Sequence, residues 1–390
     1  MLTNRWLVLG VLFVIRTTVG FQFQSVASVS TPLMDDLGIS HGQIGTLIGL
    51  GMLPGLFIAL PVGILINRYD NRLFLGFGLV FMATGGILLA LSESFPLAII
   101  GRTISGAGFV MMIVTFTKVV SDLFDGKELA TALAILLSSW PLGIAIGLVS
   151  QDAIAGATSW QFVMFLTSGA SIVALALLIT LVRVPQSATV TTQHGRSIFS
   201  ISSREVLLVC LVGIVWGLFN AGFAVYFSFT PDLLSEKGMS STEAKALVSV
   251  GVWITMLSIP FGGYFVDRIG RSNSMIALFC LLVAAAVGLF PYLSIPLALS
   301  LVVGLVLGPP PGPIVALLAQ AVSAENRGVG VGIFYTWFYA FMALGPTVAG
   351  FGRDVTDSAD TPVVISALAF VLVVPFLGAF RFFHARTSTS

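Results

Sequence analysis

Residues 63–72 read GILINRYDNR, and residues 263–271 read GYFVDRIGR. Laying the second on the first shifts the chain by 200 positions and puts Gly63 on Gly263 and Arg68 on Arg268. The same shift, without a gap, lays GISHGQ from Gly38 on GMSSTE from Gly238, and so Ser40 on Ser240. A chain of 390 residues that matches itself in this way is two like units in tandem. When both units are apolar, such like-oriented copies are the trace of parallel repeats about an axis along a membrane normal.

Both units are apolar. Hydrophobic residues are 57% of the chain, charged residues 9%, and the mean hydropathy is +1.03, whereas about a quarter of an ordinary soluble domain is charged. A spanning helix needs about 20 mainly apolar residues. Punctuation residues divide the chain into twelve such runs: 6–33, 43–66, 73–92, 96–120, 129–152, 160–182, 205–230, 243–266, 273–292, 295–322, 328–352 and 361–383. The expected fold is therefore all-α, twelve transmembrane helices in two pseudo-symmetric six-helix bundles. The first bundle is residues 1–182 and the second 205–390, with the Ser/Thr-rich segment 183–204 as a linker.

Twelve spans put both termini on one side, and the basic residues say which. Arg5, Arg68, Arg72, Lys127, Arg183, Arg196, Arg204, Arg268, Arg271, Arg327, Arg381 and Arg386 fall on the face that holds the termini. Lys118 lies at its edge, and only Lys237, Lys245 and Arg353 fall opposite. Cytoplasmic loops carry the excess of Lys and Arg, so the chain is expected to be a multi-pass inner-membrane protein with cytoplasmic termini and linker. Arg16 breaks the first apolar run, which argues against a cleaved signal peptide.

Composition and spacing also exclude classes. A net charge of +1 offers no basic stripe for nucleic acid. Cys210 and Cys280 lie in separate apolar runs, with no paired spacing for a disulfide framework or a zinc site. GVGVG at 328–332 and GRTISGAG at 101–108 are Gly-rich, but neither carries the Lys-Ser/Thr of a phosphate loop; they read as helix-packing faces. No nucleophile–base set, metal cluster or cofactor motif is present, so no enzyme, cofactor or metal is expected.

At the two loop patterns the chain resembles the major facilitator superfamily, over nearly its whole length. That family's loop after the second span, Gly-x-x-x-Asp-Arg-x-Gly-x-Arg/Lys, is matched by Gly263, Asp267, Arg268 and Gly270, with its basic residue, Arg271, one position early. The first copy is Gly63, Asn67, Arg68, Asp70 and Arg72, with Asn in place of Asp. The resemblance implies a conformational latch in which glycine lets helix ends approach and a carboxylate–guanidinium cluster forms in one state and breaks in another. GRTISGAG, with Arg102, Gly106 and Gly108, resembles the family's span-four signature, whereas SSWPLGIAIG in span five departs from the Gly-Pro-rich signature of many antiporters. RTTVGFQFQ, PGLFIALPVGIL and SSWPLG together resemble the cyanate-permease-like branch, a group linked to small anions and small polar solutes.

A site is then sought by depth. VLFVIRTTVGFQFQ, residues 11–24, places Arg16 inside span one. A charge at a bilayer centre costs roughly 2.5–3.5 kcal/mol on insertion scales, so it faces protein or a watery cavity. At 1.5 Å per residue Arg16 lies about 15 Å into the span, near the midplane. Gln24, eight residues on, shares its face. Arg102 lies about 9 Å inside the opposite end of span four. In the family resembled, spans one, four, seven and ten line the central cavity. Trp140, Asn220, Tyr335 and Trp337 also fall at mid-depth, and with Arg16, Gln24 and Arg102 they form the candidate substrate-binding set. Pro309, Pro310 and Pro311 remove backbone donors inside span ten and are expected to bend it.

Every Asp and Glu falls toward a span end or in a loop, as do His41, His194 and His384. A planar fork of donors suits a carboxylate or other small oxyanion, so the expected counter-ion of Arg16 is the substrate. Uniport, anion exchange and proton symport all remain open. The expectation is a monomeric secondary or facilitative transporter of a small anionic or polar solute, working by alternating access. Two other readings stay beside it: an exporter of amphipathic compounds, and a non-transporting receptor on a transporter scaffold.

Overall fold

The computed structural model describes residues 4–66, 69–124, 126–182, 201–269, 272–323 and 326–385, with side chains of 260–269 and a few other helical positions outside the description. Among the described residues there are fifteen helices, in two compact units, Met1–Thr192 and Gln193–Ser390. Asn67, Arg68, Gly270, Arg271 and most of the expected linker, 183–200, lie outside the described residues.

In the first unit span one is α1 (Arg5–Ser28) followed by α2 (Ser30–Leu37), and span two is α3 (His41–Leu50) followed by α4 (Gly55–Leu65). Spans three to six are α5 (Asn71–Ala90), α6 (Phe95–Leu123), α7 (Gly126–Ala157) and α8 (Trp160–Leu181). In the second unit α9 (Ser203–Glu236), α10 (Ser241–Ile269) and α11 (Ser272–Gly288) are spans seven to nine. Span ten is α12 (Pro296–Leu307) with α13 (Pro311–Ala321), and α14 (Arg327–Thr356) and α15 (Asp360–Ala385) complete the chain. Among the described residues eleven spans are long and apolar enough to cross a membrane, and the ninth, α11, is a shorter apolar helix of 17 residues.

The repeat seen in sequence is also a repeat of contacts. Within unit one, α1 packs on α7 and α8, and α5 packs on α6 and α8. Within unit two, α9 packs on α14 and α15, and α11 on α12 and α15, which is the same set of span pairs. The entry to the second span of each unit is built alike. Gly38 and Gly238 sit at φ +62° and +95°, a left-handed conformation that costs glycine no Cβ clash. Ser40 then caps α3, accepting from Gln43 N (3.3 Å) while Ser40 N donates to Gln43 Oε1 (2.9 Å). Ser240 and Glu243 repeat this reciprocal box at 3.3 and 3.2 Å.

Glycine sets the close approaches inside each unit. A Cβ at Gly106 of α6 would lie 2.5 Å from Leu50 O, and one at Gly304 of α12 would lie 2.5 Å from Gly251 O. GRTISGAG is therefore a packing face, as expected, with Gly106 on the end of α3 and Gly101 and Gly108 on α5. At Gly330, within GVGVG, a Cβ would press on Val322 at 3.0 Å.

Two expectations about spans need correction. The run 43–66 is not one helix: α3 ends at Leu50, and residues 51–54 form a turn before α4. Pro54 has no N–H to donate, and the chain there bonds at i→i+3, with Gly51 N to Ile48 O (3.2 Å) and Gly55 N to Met52 O (2.9 Å). The run 273–292 is shorter than expected, because turns take over after Gly288. Span ten is interrupted at Gly308–Pro310, where the proline run was expected to bend it, and Pro311 opens α13 as its first residue.

Candidate functional site

Arg16 and Arg102 belong to the first unit, and each sits where a neighbouring helix has lost its regular hydrogen bonding. Pro141 lies inside α7. A proline offers no N–H to the carbonyl four residues before it, here Leu137. Arg16 Nη1 donates to Leu136 O at 2.7 Å, to Leu137 O at 3.3 Å and to Ser139 Oγ at 3.0 Å. Ser139 Oγ in turn donates to Leu136 O at 2.6 Å. The guanidinium thus fills the acceptor gap that Pro141 opens. These three partners are two backbone carbonyls and a hydroxyl.

The seat is possible because α1 and α7 approach to backbone contact just beyond it. A Cβ at Gly20 would lie 2.4 Å from Trp140 O, and one at Gly143 would lie 2.2 Å from Thr17 O. Gly143 and Gly147 are a small-xxx-small pair, the spacing that lets membrane helices approach closely.

Arg102 is seated in the same manner at the end of α3. In an unbroken helix Gly51 N would donate to Leu47 O, but here it bonds Ile48 O instead. Arg102 Nε takes the freed Leu47 carbonyl at 2.9 Å, while Nη2 and Nη1 donate to Phe23 O (2.9 Å) and Gln22 O (3.3 Å) of α1. A cation at a helix C-terminus also complements the helix dipole. Phe23 and Phe109 lie under the guanidinium at 5.4 and 5.3 Å, within cation–π range. Arg102 is 1% exposed and Arg16 6%. Arg102 is a strut joining α1, α3 and α6, and Arg16 is less tightly enclosed.

Gln24 is buried, with its Nε2 donating to Ser28 Oγ at 3.2 Å. Trp140 is half-buried, its ring 5.1 Å from that of Phe23. The structure thus brings Trp140 to the aromatic pair that underlies Arg102. Asn220, Tyr335 and Trp337 belong to the second unit. Asn220 Nδ2 bonds its own helix at Trp216 O (2.8 Å). Trp337 packs on α9, its Cδ1 2.9 Å from where a Gly213 Cβ would be. Tyr335 stands edge-on to Phe338, which stacks on Trp216 at 6.2 Å. Trp216 occupies the position repeat-equivalent to Arg16, so an aromatic slab stands where the first unit places a cation.

The latch residues divide by description. Asn67, Arg68 and Arg271 lie outside it, as do the side chains of Asp267 and Arg268 and the surroundings of Gly263. Asp70 caps α5, accepting from Arg72 N at 2.8 Å, and Arg72 Nη2 donates to Ile179 O. Among the described residues no atom lies within 4 Å of where a Gly63 Cβ would be, so the close approach expected there is not made by them.

Sequence reasoning named the arginines but missed Ser139, Pro141, Gln151 and the helix break at 51–54. The prolines were the available signal, since each marks a carbonyl in want of a donor. Among the described residues no group of three or more His, Cys, Asp or Glu could hold a metal ion.

Two tandem units of six spans, with buried arginines anchored inside the first, define a polytopic membrane protein of the transporter type. Residues 12–346, and again 217–389, match the Major Facilitator Superfamily, and the chain belongs to it. It is similar to the uncharacterized transporter YycB of Bacillus subtilis (strain 168), 22% identical over 377 residues, covering 94% of this chain and 91% of that protein. The inner membrane transport protein YajR of Escherichia coli (strain K12) is 24% identical over 348 residues, covering 86% and 74%. The crystal structure of a bacterial homolog of the human lysosomal transporter Spinster, inward-facing and unoccupied, shares the fold. Its TM-score is 0.73 at 14% identity, over 98% of this chain and 97% of that one. The chain is a membrane transport protein and not an enzyme.

Proposed function

We propose that the protein moves a small anionic solute across the membrane by alternating access, with Arg16 as the group that binds the anion. The observation that carries this reading is the buried mid-span position of Arg16, seated on the carbonyls at Pro141. A guanidinium held at mid-span stands in a medium where charge is costly. A carboxylate or comparable oxyanion presents acceptors that match the guanidinium fork, at roughly twice the strength of neutral hydrogen bonds. The solute therefore gains most by drawing Arg16 from its seat at Pro141. Arg102 acts behind it, as the strut that fixes α1. The small-anion reading agrees with the resemblance of the span-one and span-five motifs to the cyanate-permease-like branch. We further read 1–182 and 205–390 as the two bundles of a monomeric inner-membrane protein, with 183–204 and both termini cytoplasmic.

The test is thermal-shift screening of the purified protein against small anions and neutral analogues, repeated on Arg16→Ala and followed by flux in proteoliposomes. A ligand at 100 times its Kd stabilises by about 2.7 kcal/mol. One class of anions is expected to stabilise the wild type, to lose that effect in the variant and to be transported. Neutral amphiphiles that stabilise both proteins equally, with anions inert, would replace this reading by the exporter. Anion binding without flux would replace it by the receptor.

A further inference from the structure

Above Arg16 the α1–α7 contact holds a second polar feature that anion binding does not use. Among the described residues Gln24 Oε1 and Gln151 Oε1 are buried side-chain oxygens with no hydrogen-bond partner, on residues 1% and 0% exposed. They come from different helices and meet at one glycine. A Cβ at Gly147 would lie 3.0 Å from Gln24 Cγ and 3.1 Å from Gln151 Oε1. Ser28 closes the group, with Oγ 3.4 Å from Gly147 O and 3.2 Å from Gln24 Nε2.

The orientation of both amides follows from their partners. Gln151 Nε2 donates to Phe21 O at 2.7 Å; a carbonyl only accepts, so the nitrogen must face it and the oxygen must face Gly147. Gln24 Nε2 donates to Ser28 Oγ, which leaves Gln24 Oε1 as the outward atom. These bonds engage one hydrogen of each amide nitrogen and leave the two amide oxygens as acceptors. A buried water makes about three hydrogen bonds. Here a water could give two hydrogens to the two oxygens, and a cation is the other occupant that two converging acceptors admit. A cation needs acceptors alone, and hard oxygens of carbonyl and hydroxyl type suit an alkali or alkaline-earth ion. The set is neutral and cancels none of a divalent ion's charge, which leaves a monovalent ion as the occupant.

We propose that Gln24 and Gln151, with Ser28 and the Gly147 carbonyl, form a sodium site between α1 and α7. The ion clamps the helix pair that also carries Arg16 and its seat, about 12 Å away at 1.5 Å per residue. Its charge adds to that of Arg16 in attracting an anion, and sodium is then a candidate coupling ion. The site stands on the glutamine pair alone and does not depend on the anion reading.

The experiment compares the purified full-length protein in sodium, potassium and choline chloride at equal ionic strength and pH, reading Tm and equilibrium binding of radioactive sodium. Sodium is expected to raise Tm saturably above choline and to bind at one site per chain. Gln151→Leu, Gln24→Leu and Gly147→Ala are expected to abolish both effects. Equal Tm in sodium and choline, with no saturable sodium binding to the wild type, would overturn the proposal whether or not the variants fold. Sodium binding that persists in folded Gln151→Leu would overturn it as well. Loss of the anion response in Arg16→Ala with the sodium response intact would separate the two sites.

Discussion

The two buried arginines show how a membrane protein can hold a charge and a broken helix at once. Each guanidinium is seated on carbonyls that a regular helix would have bonded internally, at Pro141 for Arg16 and at the Gly51–Pro54 turn for Arg102. Removing either side strands the other. Arg102→Ala is expected to cost about 3 kcal/mol or more, because Leu47, Gln22 and Phe23 carbonyls lose a charged donor in a buried place; thermal unfolding of the purified variant checks it. Pro141→Ala gives Leu137 O a backbone donor again and competes with Arg16 for it. The expected result is unchanged or raised Tm with anion affinity raised about tenfold, or 1.4 kcal/mol, because Arg16 leaves a weakened seat more readily, and no such rise in an Arg16→Ala background, where the double-mutant cycle removes the shared term. Arg16 was legible in the sequence because charge in an apolar run is conspicuous. Its partners were not, because Leu136 lies 120 positions away and backbone carbonyls leave no mark in a residue pattern.

At the scale of elements, glycine decides which helices touch backbone to backbone. Gly20 and Gly143 bring α1 onto α7, where an added Cβ would meet carbonyl oxygens at 2.4 and 2.2 Å. Gly143→Ala is expected to lose about 1–3 kcal/mol by overpacking and to weaken anion binding with it. Gly169→Ala in α8 meets nothing within 4 Å and is expected to gain about 0.5–1 kcal/mol from helix propensity alone. Comparing the two by thermal unfolding separates packing glycines from incidental ones. The span pattern itself was readable from hydropathy, and the bend in span ten from three successive prolines. The break in span two escaped because its apolar run is continuous through Pro54, and hydropathy does not register a missing N–H.

Across the whole molecule, the 200-residue shift foretold that the two units would pack their spans in the same pairs. It did not foretell how each unit would fill its glycine notch. Arg102 Nη2 lies 3.1 Å from a Gly51 Cβ position, and in the second unit Tyr226 Oη lies 3.0 Å from that of Gly251. The arginine comes from the fourth span of its unit and the tyrosine from the first, so equal notches are closed from opposite sides. Ser300, the counterpart of Arg102 by packing, meets the notch with its backbone, its carbonyl oxygen 2.9 Å from the Gly251 Cβ position. Topology is a prediction at this scale as well. Reporter fusions at either terminus are expected to show cytoplasmic placement, read as fluorescence of a cytoplasmic reporter and inactivity of a periplasmic phosphatase.

The positions of the two arginine seats along the chain also order events during synthesis. Every acceptor of Arg102 precedes it, so its place in the membrane is prepared before the ribosome delivers it. Arg16 is made first, and its seat follows 120 residues later. At about 5–20 residues per second that interval is roughly 6–24 s. For that time span one carries a cation without its final neighbours, and the long side chain reaches back toward the headgroups. Span one therefore settles to its working depth only when the proline-interrupted fifth span is inserted beside it, and the first helix to enter the bilayer is among the last to find its place.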